Sequence, residues 1–165
     1  MPKINLDCLL IMGVAGAGKT TVGKLLANSI GGTFMDGDDF HSGHNIEKMK
    51  RGIPLTDADR HRWLIEISRQ IRDHPGPSKL VIACSALKGS YRKILGCDNF
   101  HLVYLKGNKK EIAKRLACRE GHFMPAKLLD SQMIDLEEPK GALTISISSS
   151  PPEIVEKILS NIGWS

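Results

Sequence analysis

Aromatic side chains are scarce in this 165-residue chain, where Trp, Tyr and Phe together make up 5%. A protein that stacks bases along a single nucleic-acid strand needs several aromatic platforms, so that class is disfavoured and no nucleic-acid partner is expected. The four cysteines, Cys8, Cys84, Cys97 and Cys118, form no C-x-x-C pair. Such spacing argues against a zinc site and suits reduced thiols in a cytoplasmic protein. No apolar run reaches membrane-spanning length and no signal-like apolar stretch opens the chain, so no membrane partner is expected. Internal repeats, low-complexity tracts and a Lys/Arg arm are also missing. The net charge of +5 therefore suits an anionic small molecule as well as a polynucleotide. With 41% hydrophobic and 25% charged residues, the composition is that of one ordered domain over 1–165.

What is present is a phosphate-binding loop. Gly13-Val14-Ala15-Gly16-Ala17-Gly18-Lys19-Thr20 matches G-x-x-x-x-G-K-[ST] in full. Before it, Cys8-Leu9-Leu10-Ile11-Met12 reads as a buried parallel strand. After it, Val22, Leu25, Leu26 and Ile30 recur at helical spacing up to Gly31-Gly32. Glycines let backbone N–H groups converge on a phosphate, and the helix N-terminus adds partial positive charge. Lys19 can reach the terminal phosphates of ATP, and the Thr20 hydroxyl can ligate Mg²⁺. The expected nucleotide contacts are Gly13, Val14, Ala15, Gly16, Ala17, Gly18, Lys19, Thr20 and Thr21.

A short strand, Thr33-Phe34-Met35, delivers Asp36-Gly37-Asp38-Asp39-Phe40-His41 to its carboxyl end, the edge where open α/β sheets bind ligands. Alone, such a turn reads as a solvated acidic surface; beside a nucleotide loop it reads as a metal and substrate site. Asn45 to Arg51 is expected to be helical. Thr56 and Asp59 fit a capping box that opens a helix to about Asp73, with Trp63, Ile67 and Ile71 on one core face. Arg60 on that helix fits either a surface ion pair or an anionic substrate. Leu80 to Cys84 is a third strand, followed by Ser85-Ala86-Leu87-Lys88 and a helix bearing Tyr91 and Arg92; Ser85 also fits an N-cap. This strand ends without the usual Asp, which leaves Asp36 as the nearest acidic partner for a metal. A strand at Phe100 to Leu105 and a helix from Lys109 to Arg119 follow. Glu120 to Pro125 fits a mobile lid or a plain helix–helix connection. A helix from Leu128 to Leu136, a strand from Leu143 to Ile147 and a Ser150-capped helix close the chain. The alternation predicts a five-stranded parallel sheet with helices on both faces.

Three function classes compete. A switch GTPase would use Asn108-Lys109-Lys110-Glu111 as its base-reading motif, but the fourth residue is Glu. The sole D-x-x-G, Asp73 to Gly76, precedes a strand instead of following one. A polynucleotide-driven ATPase lacks its stacking platform and basic stripe. A small-molecule kinase needs a phosphate loop, a carboxylate near the acceptor hydroxyl, a substrate pocket and a water-excluding lid, and each has a candidate.

Several runs are longer than any generic nucleotide motif. They are Asp36-Gly37-Asp38 with His41, Asn45 to Met49, Gly52-x-Pro54-Leu55-x-Asp57-x-Asp59-Arg60-x-x-Trp63-Leu64, Cys84 to Lys88 with Tyr91-Arg92, and Arg119 to Pro125. In these the chain resembles the gluconokinase family. Ala15 and Ala17 stand where that family often has serines, at positions that contribute backbone. The resemblance implies the nucleoside-monophosphate-kinase-like branch of the P-loop fold, with shikimate kinase as a structural cousin. It also implies a lid at about 119–127 and substrate-binding helices at about 44–73. It implies ATP- and Mg²⁺-dependent phosphorylation of D-gluconate to 6-phospho-D-gluconate, or of a related sugar acid or shikimate-like substrate, by a cytoplasmic homodimer. On it, Lys19, Asp38, Arg119 and His122 are the catalytic candidates, and Thr20 and Asp36 hold the metal. Arg115 and Arg119 flank the nucleotide. Asp38, His41, Arg60, Ser85, Lys88, Arg92 and His122 meet the substrate.

Overall fold

The computed structural model describes residues 7–118 and 126–164. Its centre is β1 (Cys8–Met12), fully buried. Around it lie β2 (Thr33–Asp36), β3 (Leu80–Ala83), β4 (His101–Lys106) and β5 (Leu143–Ser146) in the order β2-β3-β1-β4-β5. Every pairing is parallel, as the strand–helix alternation predicts. The seven helices among the described residues are α1 (Lys19–Ile30), α2 (Gly43–Lys50), α3 (Asp57–Arg72), α4 (Gly89–Leu95), α5 (Lys109–Ala117), α6 (Ala126–Asp135) and α7 (Pro151–Ile162).

Successive strand residues face opposite sides of a sheet, and the core divides accordingly. Leu9, Ile11, Val81, Val103 and Ile145 pack under Val22 and Leu26 of α1, Ile112 of α5 and Ile158 of α7. Cys8, Leu10, Met12, Ile82 and Tyr104 pack under Trp63, Leu64 and Ile67 of α3 and Leu95 of α4. Burial pushes the thiols of Cys8, Cys84 and Cys97 up to about 12, so they stay protonated and inert.

Register then places the loops. Ile11 is level with Ala83 and Val103, and Asp36 is also level with Ala83. The segments after β1, β2 and β3 therefore leave the sheet at one edge, side by side. The capping box of α3 is formed as expected: Asp59 N–H donates to Thr56 Oγ1 at 3.1 Å and Thr56 N–H to Asp59 Oδ2 at 2.9 Å. The N-cap of α4 is Lys88, so Ser85 lies three residues short of that cap.

Candidate active site

The phosphate loop leaves β1 and enters α1 through Gly18, whose φ of 93° is left-handed and suits glycine. Gly16 has φ 84°, and a Cβ there would lie 2.8 Å from the Leu116 side chain of α5. The glycine is thus required twice, by its backbone and by the helix against it. Lys19 folds back, donating to the Val14 carbonyl at 2.9 Å. The Thr20 hydroxyl donates to Asp36 Oδ2 at 3.0 Å, and Asp36 Oδ1 accepts from Asp38 N–H at 3.0 Å. The two residues expected at the metal therefore meet, although they are sixteen apart in the chain.

Beside Lys19 opens a cavity of about 210 Å³ lined by Ala15, Lys19, Asp38, His41, Arg60 and Ser85. Trp63, Met49, Pro54, Leu55, Leu87 and Leu128 supply apolar walls, and Ser131 and Gln132 of α6 close one side. A larger hollow of about 420 Å³ lies near the amino ends of β1 and β3, lined by Asp7, His74 and Leu80 among others. It contains none of the expected site residues, and ligands of parallel sheets bind at the carboxyl ends. The smaller cavity is the candidate site.

His41 shows how the wall is built. Its ring stacks on Trp63, with centroids 4.2 Å apart and planes 12° off parallel. The Trp63 indole N–H donates to the Gly37 carbonyl at 2.7 Å, which pins the acidic turn to α3. Burial first, and the Arg60 charge second, lower the His41 pKa to about 4. The imidazole is therefore neutral near pH 7, and its 3.9 Å approach to Asp38 is not an ion pair. Asn45 Nδ2, which can only donate, lies 3.3 Å from His41 Nδ1. Nδ1 then accepts and Nε2 carries the proton, facing Asp38 and the cavity.

A neutral buried histidine makes stability pH-dependent. The unfolded chain binds a proton near the ordinary value of 6.5, the folded chain only near 4. Stability is therefore lost as pH falls through that interval, by about 2 kcal/mol between pH 7.5 and pH 5. Urea titrations at those two pH values should show that loss in the wild type, reduced by most of this amount in His41→Gln.

Arg60 is 7% exposed. Its Nη1 donates to Asp135 Oδ2 at 2.8 Å and to the Tyr91 hydroxyl at 2.9 Å. Its ion pair is buried between α3, α4 and α6 rather than at the surface, and it also lines the cavity. Lys88 pairs with Asp57 at 3.0 Å and lies 4.0 Å from Asp135, beside the cavity and not in its wall. Arg92 does not line this cavity. It donates to the carbonyls of Ala86 at 2.8 Å, Leu87 at 3.1 Å and Glu137 at 3.0 Å. These bonds brace the loop that carries Ser85, where Ala86 sits at φ 43°. Arg115 of α5 donates to the Ile147 carbonyl, and its guanidinium lies alongside Gly18, 3.9 Å from where a Cβ would stand. Arg119 and His122, with most of the expected lid, lie outside the described residues. Reasoning from sequence missed Gln132 and Asp135, whose partners are 117 and 75 residues away; no local signal marks either.

A phosphate loop, an acidic turn and a cationic pocket at one sheet edge define a P-loop phosphotransferase that acts on a small molecule. The sequence profile described as Shikimate kinase matches residues 15–162. A gluconokinase of Gluconobacter oxydans is 42% identical, over 92% of this chain and 88% of its own. The crystal structure of a gluconokinase from Sinorhizobium meliloti superposes with a TM-score of 0.85 at 36% identity, covering 98% of this chain and 94% of that one. Shikimate kinase from Bacteroides thetaiotaomicron, 15% identical with a TM-score of 0.70 over 94% of this chain and 98% of its own, shares the fold. The chain belongs to the gluconokinases, a branch of the shikimate kinase family.

Proposed function

We propose that the chain transfers the γ-phosphoryl group of ATP to the 6-hydroxyl of D-gluconate, giving 6-phospho-D-gluconate. The observation that carries this is the cavity in which Lys19, Asp38 and Arg60 converge, in a chain matched over most of its length by gluconokinases. Phosphoryl transfer asks chiefly for positioning and charge neutralisation. Lys19 and the loop amides hold the triphosphate. Asp38 accepts the acceptor hydroxyl's proton or orients that hydroxyl. Arg60, oriented by Asp135 and Tyr91, meets the carboxylate of the sugar acid, and the His41 Nε2–H and Ser85 meet its hydroxyls.

Among the described residues no group of three His, Cys, Asp or Glu is arranged to hold a metal ion. A Thr hydroxyl 3.0 Å from an Asp carboxylate nevertheless fits Mg²⁺, which takes few protein oxygens and completes its shell with phosphate and water. Thr20 and Asp36 would hold it, and it would neutralise charge on the β- and γ-phosphate oxygens. The family resemblance supports a lid role for 119–127, catalytic roles for Arg119 and His122, and a place for Arg115 beside the nucleotide. The four widely spaced cysteines, with no C-x-x-C pair, support a reducing, cytoplasmic setting, and the family resemblance supports a homodimer.

An assay of ADP release across D-gluconate, its epimeric acids, shikimate and nucleoside monophosphates tests the assignment. D-Gluconate should exceed shikimate in kcat/KM by at least about a hundredfold, because a site built to pair several hydroxyls and a carboxylate rejects a poor match strongly. A preference for shikimate or for a nucleotide acceptor would replace the assignment.

A further inference from the structure

One contact in the site is made by a residue that no motif marks. The backbone N–H of Ala15, in the middle of the phosphate loop, donates to Gln132 Oε1 at 2.7 Å. Gln132 lies on α6 and lines the cavity with Lys19, Asp38 and Arg60. A neutral carboxamide oxygen thus occupies a loop amide of the kind that binds phosphate oxygens. Three residues on, Asp135 holds Arg60 at 2.8 Å. Residues three apart share a helix face. Hence one face of α6 offers oxygen acceptors to a phosphate donor and a carboxylate-binding cation, the groups that the two substrates require.

We propose that Gln132 is a positioning residue that serves both substrates in turn. Its carboxamide holds the Ala15 amide until a phosphate oxygen of the nucleotide takes that amide over. An anionic oxygen makes the stronger bond to an N–H, so the nucleotide wins the exchange. The released carboxamide has one acceptor and two donor hydrogens. It turns into the cavity onto the polyol hydroxyls of the sugar acid, which both donate and accept. Nucleotide binding thereby tightens sugar-acid binding, and by linkage the reverse holds.

The proposal rests on the phosphate-loop reading, and the test separates the two. A non-hydrolysable ATP analogue is titrated calorimetrically into wild type, Gln132→Ala and Gln132→Glu, with and without D-gluconate. In the wild type, each ligand should tighten the other by about fivefold. Gln132→Ala removes the competitor, so the analogue alone should bind about threefold tighter, while the mutual tightening disappears and KM for gluconate rises with kcat nearly kept. Gln132→Glu keeps an acceptor on Ala15 N–H but adds a negative charge beside the phosphates, so the analogue should bind about tenfold weaker. Opposite shifts in two variants of a half-exposed side chain are not the mark of a folding defect. Analogue affinities equal to wild type in both variants, or shifted in the same direction, would overturn the role of Gln132 alone. A wild-type protein that binds no analogue would overturn the phosphate-loop reading as well.

Discussion

Lys19→Ala should lower kcat by at least about a thousandfold and leave the fold intact. The magnitude follows from what the ammonium does. It is the only side-chain cation of the phosphate loop, and it lines the cavity into which the acceptor must come. As the phosphoryl group moves, negative charge shifts among oxygens that this ammonium can touch. Removing one such charge contact costs a factor of about 10² to 10³ where the contact is a neutral N–H, and a full charge contributes more. The fold should survive because Lys19 is half-buried and its hydrogen bond to the Val14 carbonyl, five residues back, is local. Lys19→Arg should rescue little, since a planar fork does not reproduce a compact point charge at the end of a flexible stem. Steady-state kinetics with circular dichroism on the same preparations makes the check. A variant with wild-type kcat and an unchanged spectrum would remove the loop from the mechanism.

The loop and its helix were legible because their requirements are local. Glycines at left-handed positions, a lysine and a threonine at the helix start, and apolar runs on either side all lie within a couple of dozen residues. The parallel sheet was legible for a related reason: strands buried on both faces read as unbroken apolar runs, and a helix between each pair leaves few topologies. The Thr20–Asp36 pair followed from mechanism, since the third strand ends without a carboxylate.

Elsewhere the long-range geometry decided. Arg60 sits at a helical position that by periodicity alone fits a surface pair. It is buried because α4 and α6 fold over it and bring Tyr91 and Asp135 to its guanidinium. The gluconokinase resemblance implied Arg92 at the substrate. The turn at Ala86 aims two carbonyls at it, and a guanidinium with five donors satisfies such a cluster well. Trp63 was read as core and is core, but its indole N–H and its ring face also hold the acidic turn and His41. An amphipathic pattern shows that a face is buried, not what its polar edge touches.

Asp38→Asn should lower kcat by about 10² to 10⁴ while the affinity for ATP changes by no more than about threefold. The substitution preserves shape and one acceptor oxygen but removes the capacity to take a proton. If Asp38 only steadied the acceptor hydroxyl, an amide oxygen would do much of the same work, and the loss would fall mainly on KM for the sugar acid. The surroundings favour the proton-accepting role. Asp38 lies in the cavity wall with Lys19, so a hydroxyl placed between them has a base on one side and the phosphoryl donor on the other. The neighbouring His41 is neutral near pH 7, its pKa held at about 4, and so does not quench the carboxylate by pairing with it. The turn is fixed by the Asp38 N–H bond to Asp36 and the Trp63 bond to Gly37, and both use backbone atoms that the substitution leaves in place. Loss of structure is therefore a poor explanation for a fall in rate. Kinetics over both substrates, with nucleotide affinity measured separately, distinguishes the cases. A retained kcat with only the sugar-acid KM raised would make Asp38 a binding residue and leave the proton to water or to the phosphate itself.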